Sequence, residues 1–144
     1  MRWTALLLFL FATAAVAADV GEVKVGKGHA YIERGAERIA VRPGMPVQQS
    51  DQVVTGADGT VGITFSDNSL LSIGPDSRLA IDRYVFDTTT HAGQFESTLS
   101  KGTVAVVSGK IVKQSPEAMK IRTPSSIMGV RGTEFIVKVD EPKK

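Results

Sequence analysis

Between Ser66 and Tyr84 the chain reads SDNSLLSIGPDSRLAIDRY, and this stretch limits the possible folds more than any other. Two turn clusters, Ser66-Asp67-Asn68-Ser69 and Gly74-Pro75-Asp76-Ser77, bracket the apolar run Leu70 to Ile73. A second run follows, with Leu79 and Ile81 on one face and Arg78, Ala80 and Asp82 on the other. Successive side chains of a strand point to opposite faces, so this alternation predicts half-buried strands. Upstream, Thr60 to Phe65 alternates in the same way after the turn Gly56-Ala57-Asp58-Gly59. Short strands separated by turn signals every eight to ten residues or so are the mark of an all-β domain.

The same pattern extends in both directions. Val23 and Val25, then Ala30 to Glu33, then Ile39 and Val41 have strand character, with Arg34 to Glu37 as a turn. Arg42-Pro43-Gly44-Met45-Pro46 ends that run, because each proline removes a donor from a strand ladder. Beyond Tyr84 the pattern loosens at Asp87 to Gly93. It resumes with Phe95, Ser97 and Leu99, turns at Lys101-Gly102, and continues from Thr103 to Val107. Met119 to Thr123 and Thr133 to Val139 are further strands, the last with Phe135, Val137 and Val139 on one face. No helical period of useful length follows Ala18, and Ser125 to Val130 has room for one helical turn at most. Two architectures satisfy such a list of short strands: a β-solenoid-like domain or a two-layer β-sandwich.

The first residues carry a different signal. Arg2 precedes an uncharged apolar stretch, Trp3 to Val16, and Ala15-Val16-Ala17 matches the small-x-small pattern of a cleavage site. The stretch falls short of the roughly 20 apolar residues a spanning helix needs. We therefore expect residues 1–18 to be a cleaved signal peptide, residues 19–140 an all-β domain and residues 141–144 a solvated tail. The expected location is periplasmic or secreted. Without Arg2 the chain has 16 basic against 15 acidic residues, too balanced for a nucleic-acid footprint. The absence of cysteine excludes disulfides and a lipid-modified N-terminal cysteine.

A search for catalytic or metal-binding patterns finds little. His29 and His91 lie far apart, each without a ligand pattern beside it. No G-x-S-x-G elbow surrounds a serine. Gly26-Lys27-Gly28 lacks the third glycine and the helix of a phosphate cradle. Gly129-Val130-Arg131-Gly132 has the spacing of a G-x-x-G nucleic-acid clamp but strands on both sides of it. Asp67-Asn68-Ser69 and Asp76-Ser77 do not space oxygens as a calcium loop does. Asp82, Asp87 and Glu96 are the carboxylates that a fold could pair, although solvated carboxylates are the norm. No cofactor is expected, and no enzymatic activity.

Several of these residues together resemble the FecR domain family, an all-β module of exported and periplasmic bacterial proteins. The likeness begins at Thr55-Gly56-Ala57-Asp58-Gly59, similar to the family's T-G-x-x-G turn. It continues through Phe65-Ser66-Asp67-Asn68-Ser69-Leu70-Leu71-Ser72-Ile73, similar to D-G-S-x-L-x-L, and through Pro75 and Ser77. It closes with Thr123-Pro124 and Gly129-Val130-Arg131-Gly132-Thr133. Asn68 stands where the family usually has glycine, and asparagine tolerates the left-handed turn better than other residues with a Cβ. The resemblance implies a binding or signalling module. Regulatory members join this domain through a membrane helix to a cytoplasmic segment that controls a sigma factor. An export signal at Met1 leaves no such segment, so anti-sigma activity is not carried over. The partner is expected to be another envelope protein, bound through a sheet edge, with a carbohydrate or cell-wall ligand as the alternative. Glycines around a short turn point to backbone needs, so the signature is expected to be a fold element more than a binding site.

Overall fold

The structure, a computed structural model, describes residues 18–129 and 132–140. All but the last residue of the expected leader, the expected tail 141–144, and Val130 and Arg131 of the signature lie outside the described residues. The all-β expectation holds. The strands are β1 (Asp19–Lys27), β2 (Ala30–Arg34), β3 (Glu37–Ala40), β4 (Pro46–Gln48), β5 (Gln52–Thr55), β6 (Thr60–Phe65), β7 (Leu70–Ile73), β8 (Arg78–Phe86), β9 (Gly93–Val107), β10 (Met119–Arg122), β11 (Ile127–Gly129) and β12 (Glu134–Val139). One short helix, α1 (Lys110–Gln114), and a 3-10 turn, Pro116–Ala118, separate β9 from β10.

The strands make a single curled, mostly antiparallel sheet, closer to a half-barrel than to a stack of coils, so the solenoid description fits it loosely. The main path runs β3-β2-β5-β8-β9-β7-β6-β1-β4, with β10 and β12 added on β9 and β11 on β10. Strand β9 is long enough to serve both halves. Its first half pairs with β8, Leu79 opposite Leu99, and in parallel with β10, Ile121 opposite Ser97. Its second half pairs with β7, Leu71 opposite Val106, and with β12, Ile136 opposite Ala105. The sheet therefore folds over on itself at the middle of β9.

That corner is where the expected turn at Lys101-Gly102 must be corrected. The chain does not reverse there, and β9 runs through it. The glycine signal reported a backbone need instead. Gly102 has φ +92, and a Cβ on it would lie 2.0 Å from the Ser77 hydroxyl oxygen. A second correction concerns Ile127–Gly129, which forms β11 on the edge of β10, where the sequence left room for a helical turn. Pro46 opens the short edge strand β4, a position where a missing N–H is tolerated.

The two halves of the sheet enclose one core. Val61, Ile63, Phe65, Leu71, Ile73, Val104 and Val106 face Ile32, Val53, Leu79, Ile81, Phe95, Leu99 and Ile121, and all are buried. The runs Val61/Ile63/Phe65, Leu71/Ile73 and Leu79/Ile81, expected to be buried, are therefore inside. Of Phe135, Val137 and Val139, by contrast, only Val137 is buried, and the other two pack half-buried against the core. At one end Phe65, Tyr84 and Phe95 meet with ring centroids 4.6 to 5.4 Å apart. Such pairs contribute roughly 0.5–1.5 kcal/mol beyond their buried area. Tyr84 reaches this cluster because a bulge in β8 between Ile81 and Arg83 shifts the alternation by one residue. Asp82 and Arg83 are thus both exposed, and Tyr84 turns inward.

Two glycines with positive φ make a controlled comparison. Gly102→Ala combines left-handed strain with a collision against Ser77, whereas Gly132, at φ +109, has no atom of the described residues within 4 Å of an added Cβ. Gly132→Ala or →Val is expected to lower stability by about 1–3 kcal/mol through backbone strain alone. Gly102→Ala should exceed that. Urea unfolding of the variants measures the difference, and equal midpoints would contradict the account of the corner.

Candidate functional site

Three clusters of buried polar groups hold the loops in place, and the first two absorb much of the family-like motif. Asp67 sits in the β6–β7 turn with no exposed surface. Its carboxylate accepts hydrogen bonds from the Ser69 N–H (3.1 Å), the Ser69 hydroxyl (2.7 Å), the Tyr84 hydroxyl (2.9 Å) and the Ile111 N–H (3.3 Å). The Tyr84 oxygen in turn accepts from the Asp67 N–H at 2.9 Å. The backbone carbonyl of Asp67 receives the Lys110 N–H at 2.8 Å, and the Ser69 oxygen receives the Gly109 N–H at 3.1 Å. One turn thus fixes the start of α1 and ties it to β8 across the core. Asn68, at φ 68, makes the left-handed step expected of it. Gly109 must lack a side chain, since a Cβ would stand 2.3 Å from the Asp67 carbonyl oxygen.

The second cluster lies at the other end of the β6–β7 hairpin. The buried Thr55 hydroxyl donates to the Gly74 carbonyl (2.7 Å) and accepts from the Ser77 N–H (2.9 Å). The Ser77 hydroxyl donates to the Pro75 carbonyl (3.0 Å) and accepts from the Thr103 N–H (3.0 Å) beside the Gly102 corner. The Gly56 N–H bonds the His29 carbonyl at 2.8 Å, and a Cβ on Gly59 would lie 2.1 Å from that same oxygen. The two clusters close the two ends of the hairpin.

The third cluster carries no motif, and sequence reasoning missed it. Arg34 grips the fully buried Asp51 with two parallel bonds, Nε to Oδ1 at 2.9 Å and Nη2 to Oδ2 at 2.8 Å. Asp51 also accepts the Gln48 N–H at 2.9 Å. The bond to Asp51 raises the Arg34 pKa further above its ordinary value. Nothing in a single sequence distinguishes Asp51 from a solvated aspartate. The place of Tyr84 was equally hidden, because it depends on the β8 bulge.

The rest of the signature lies apart from these clusters. Thr123 and Pro124 begin the turn between β10 and β11, closed by the Thr123 N–H on the Ser126 carbonyl at 2.8 Å. Gly129 is exposed and pairs with Lys120. The Thr133 and Gly132 carbonyls accept from the Ser108 N–H (2.8 Å) and the Ser108 hydroxyl (3.0 Å), which anchors the approach to β12. Among the described residues no group of three or more His, Asp or Glu is placed to hold a metal ion. The carboxylates noted as possible partners go separate ways. Asp82 accepts the Thr98 hydroxyl at 2.5 Å, Asp87 accepts the N–H groups of Thr89 and Thr90, and Glu96 lies opposite Arg83 on β9. The Asp87 carboxyl is held below its usual range by those two N–H groups. His29 is exposed and touches Asp58 at 3.0 Å, and the His29 N–H lowers the Asp58 pKa. An open cleft of about 520 Å³ beside Gly132 is lined, among the described residues, by Gln114, Ser115, Pro116 and Glu117. No described helix is long and apolar enough to cross a membrane.

The Asp67 cluster gives a pH-dependent prediction. Burial, and then the charge of Asp67, push the Tyr84 phenol well above its usual value of 10.0. In the unfolded chain Tyr84 loses its proton near pH 10, whereas in the folded state it keeps it. The resulting stability is complete below about pH 10 and declines above it, by up to about 1.4 kcal/mol per pH unit. Tyr84→Phe should remove this extra alkaline slope, and urea midpoints from about pH 9 to pH 11 for both proteins measure it. Asp67→Ala strands the donors of Tyr84, Ser69 and Ile111 and should lower stability at neutral pH by more than about 3 kcal/mol.

A family profile described as FecR protein matches residues 51–144. No curated protein and no solved structure gives a significant match to the chain. The profile covers well over half of the sequence, including β5 through β12 and all three parts of the expected signature. The chain therefore belongs to the FecR family.

Proposed function

We propose that this chain is an exported, non-catalytic FecR module that binds another protein of the cell envelope, using the free edge of β12. The observation that carries the reading is the inequality of the sheet edges. Among the described residues, strands β3, β4, β11 and β12 each have a strand partner on one side only. Edge strands invite pairing with other chains unless they are short, charged or interrupted by proline. Strand β4 has three residues and begins with Pro46, β11 has three, and β3 has four with Glu37 and Arg38 among them. Strand β12 has six, Glu-Phe-Ile-Val-Lys-Val, rich in β-branched residues. An extended segment of a partner could add to this edge through main-chain hydrogen bonds, with the alternate side chains giving selectivity.

The signature fits a supporting role in this proposal. Thr55, Asp67, Ser69 and Ser77 spend their polar groups on the fold's own backbone and are buried, so they are unsuited to contact a partner directly. A sugar-binding role is less well supported. Tyr84 is buried and Tyr31 lies under the Arg38 guanidinium, 4.3 Å from the ring centre, so neither offers a bare ring for stacking. Export rests on the leader pattern, with the domain spanning residues 19–140 once the leader is removed.

Two measurements test this. Intact mass of the protein recovered outside the cytoplasm should correspond to a chain beginning at Ala18 or Asp19, and retention of Met1 in a membrane fraction would refute export. For binding, a photo-crosslinking residue placed at Glu134, on β12, should give an adduct to one distinct envelope protein in cells. The same residue at Lys120, on β10, should not. Equal labelling from both positions, or none from position 134, would overturn the edge reading.

A further inference from the structure

The two outer faces of the folded sheet differ sharply. Outside β2, β5, β8, β9 and β10 the surface carries Glu33, Arg78, Asp82, Arg83, Glu96, Lys120 and Arg122, a mixed charged face that water covers well. The opposite face, over β1, β6, β7, β12 and the second half of β9, has an apolar middle. Registers place Val25 beside Gly62, Gly62 beside Ser72, Ser72 beside Ala105, and Ala105 beside Ile136. Ile136 is 72% exposed, Val25 45% and Leu70 43%. Ile136 borders two shallow grooves, of about 380 and 540 Å³, floored by the small residues Ser72 and Ala105. Isolated exposed apolar residues are ordinary, but a row of small and apolar residues across five strands, broken only by the Ser72 hydroxyl, marks an interaction surface.

The charges around this patch indicate what covers it. Along one rim the cross-strand row runs Glu22, Thr64, Leu70, Val107, Glu134. Along the other rim Lys27 lies opposite Thr60 on β1 and β6, and Lys138 lies opposite Thr103 on β12 and β9. One rim is acidic at both flanks and the other is basic at both flanks. We infer that this face packs on the same face of a second copy of the chain. The two-fold axis lies in the interface, across the strands and along the row of Val25 and Ile136. That operator reverses strand direction while keeping lateral position, so Glu134 meets the partner subunit's Lys138. An axis along the strands would set acid on acid, so the charge pattern selects the first arrangement. Isologous contact of this kind is what closed dimers use.

Two existing contacts must be accommodated. Glu22 holds Lys24 at 2.8 Å, and Lys138 reaches Asp140 at 3.6 Å, both between exposed side chains. Exposed pairs of this sort are worth at most about 1 kcal/mol, so they yield to a partner carboxylate brought in over an apolar centre. The face is small. Five strands about 4.8 Å apart and roughly six residues long, at about 3.3 Å each, give on the order of 500 Å² per copy. Stable interfaces bury nearer 800 Å² per partner, so the dimer should be weak, with a Kd in the range of about 1–100 µM.

Sedimentation velocity of the purified protein from about 1 to 500 µM tests the inference, with variants checked for unchanged circular dichroism. The wild type should shift from monomer to dimer with concentration. Ile136→Asp, on an exposed side chain that the fold does not need, should remove the shift. Lys138→Glu should weaken association by about tenfold or more, and the double swap Glu134→Lys with Lys138→Glu should restore it to within about threefold of wild type. A wild type that stays monomeric throughout overturns the inference, as does an Ile136→Asp protein that still dimerises. Failure of the double swap to recover overturns the axis. A dimer lost with Ile136→Asp while the adduct from position 134 to another protein persists would separate this inference from the β12-edge reading.

Discussion

Much of this structure depends on a carboxylate that water cannot reach. Asp67 is fully buried and stays favourable because four donors converge on it from three parts of the chain. An unpaired buried charge would be prohibitive, and a half-satisfied one would be worse than an apolar core. The arrangement is therefore all-or-none. The β6–β7 turn, the start of α1 and the inward Tyr84 must assemble together, and each fixes the others. The short helix α1 has little propensity to form alone, since one turn gains few backbone bonds for the angles it fixes. Its position is set by the Asp67 carbonyl and carboxylate receiving the N–H groups of Lys110 and Ile111.

The fold-over of the sheet follows a related logic at the opposite end of the hairpin. A strand that serves two halves of a curled sheet must bend, and a bend in a ladder leaves polar groups unmatched. Gly102 makes the bend at φ +92, and the Ser77 hydroxyl accepts the neighbouring Thr103 N–H. Thr55 then accepts the Ser77 N–H, which links β5 to the connection between β7 and β8. Hydroxyl side chains suit this task because each both donates and accepts. Only a glycine can face Ser77 so closely. The requirement is steric and local, and it accounts for a serine, a threonine and a glycine that are distant in sequence.

How much of this could be read beforehand depends on the range of the interaction. Alternation gave β6, β7, the first half of β8 and the two halves of β9, with the inward positions of Val61, Ile63, Phe65, Leu71, Ile73, Leu79 and Ile81, because period-two patterning is local. The left-handed turn at Asn68 was legible for the same reason. The meaning of Gly102 was legible only in part: its backbone demand was visible, but the same demand serves a chain reversal or a bend. Tyr84 was obscured by the bulge after Ile81, which breaks the alternation that would have pointed it inward. The Arg34–Asp51 pair was not legible at all, since charged residues 17 apart become neighbours only through the pairing of β2 with β5. Of the signature residues, those in the two polar clusters came together in space, whereas Thr123, Pro124 and Gly129 remained in separate turns and strands.

The same accounting bears on where function can reside. A residue whose polar groups are all engaged inside the protein has none to offer a ligand, which holds for Thr55, Asp67, Ser69 and Ser77. In the proposed function, motif residues of this kind specify the framework, and recognition falls to the surfaces they leave free. Two such surfaces adjoin on β12: its open edge, and the outward side chains Glu134, Ile136 and Lys138. They differ physically. The edge offers backbone donors and acceptors, which an extended chain of almost any sequence can satisfy, whereas the face offers an apolar centre with ordered charges at its rims. One strand can serve both because its hydrogen bonds lie in the plane of the sheet and its side chains stand perpendicular to that plane. Pairing at the edge would extend the face by another strand. A partner bound there would enlarge the surface on which a second copy packs, coupling the two contacts through shared area without any change in the fold.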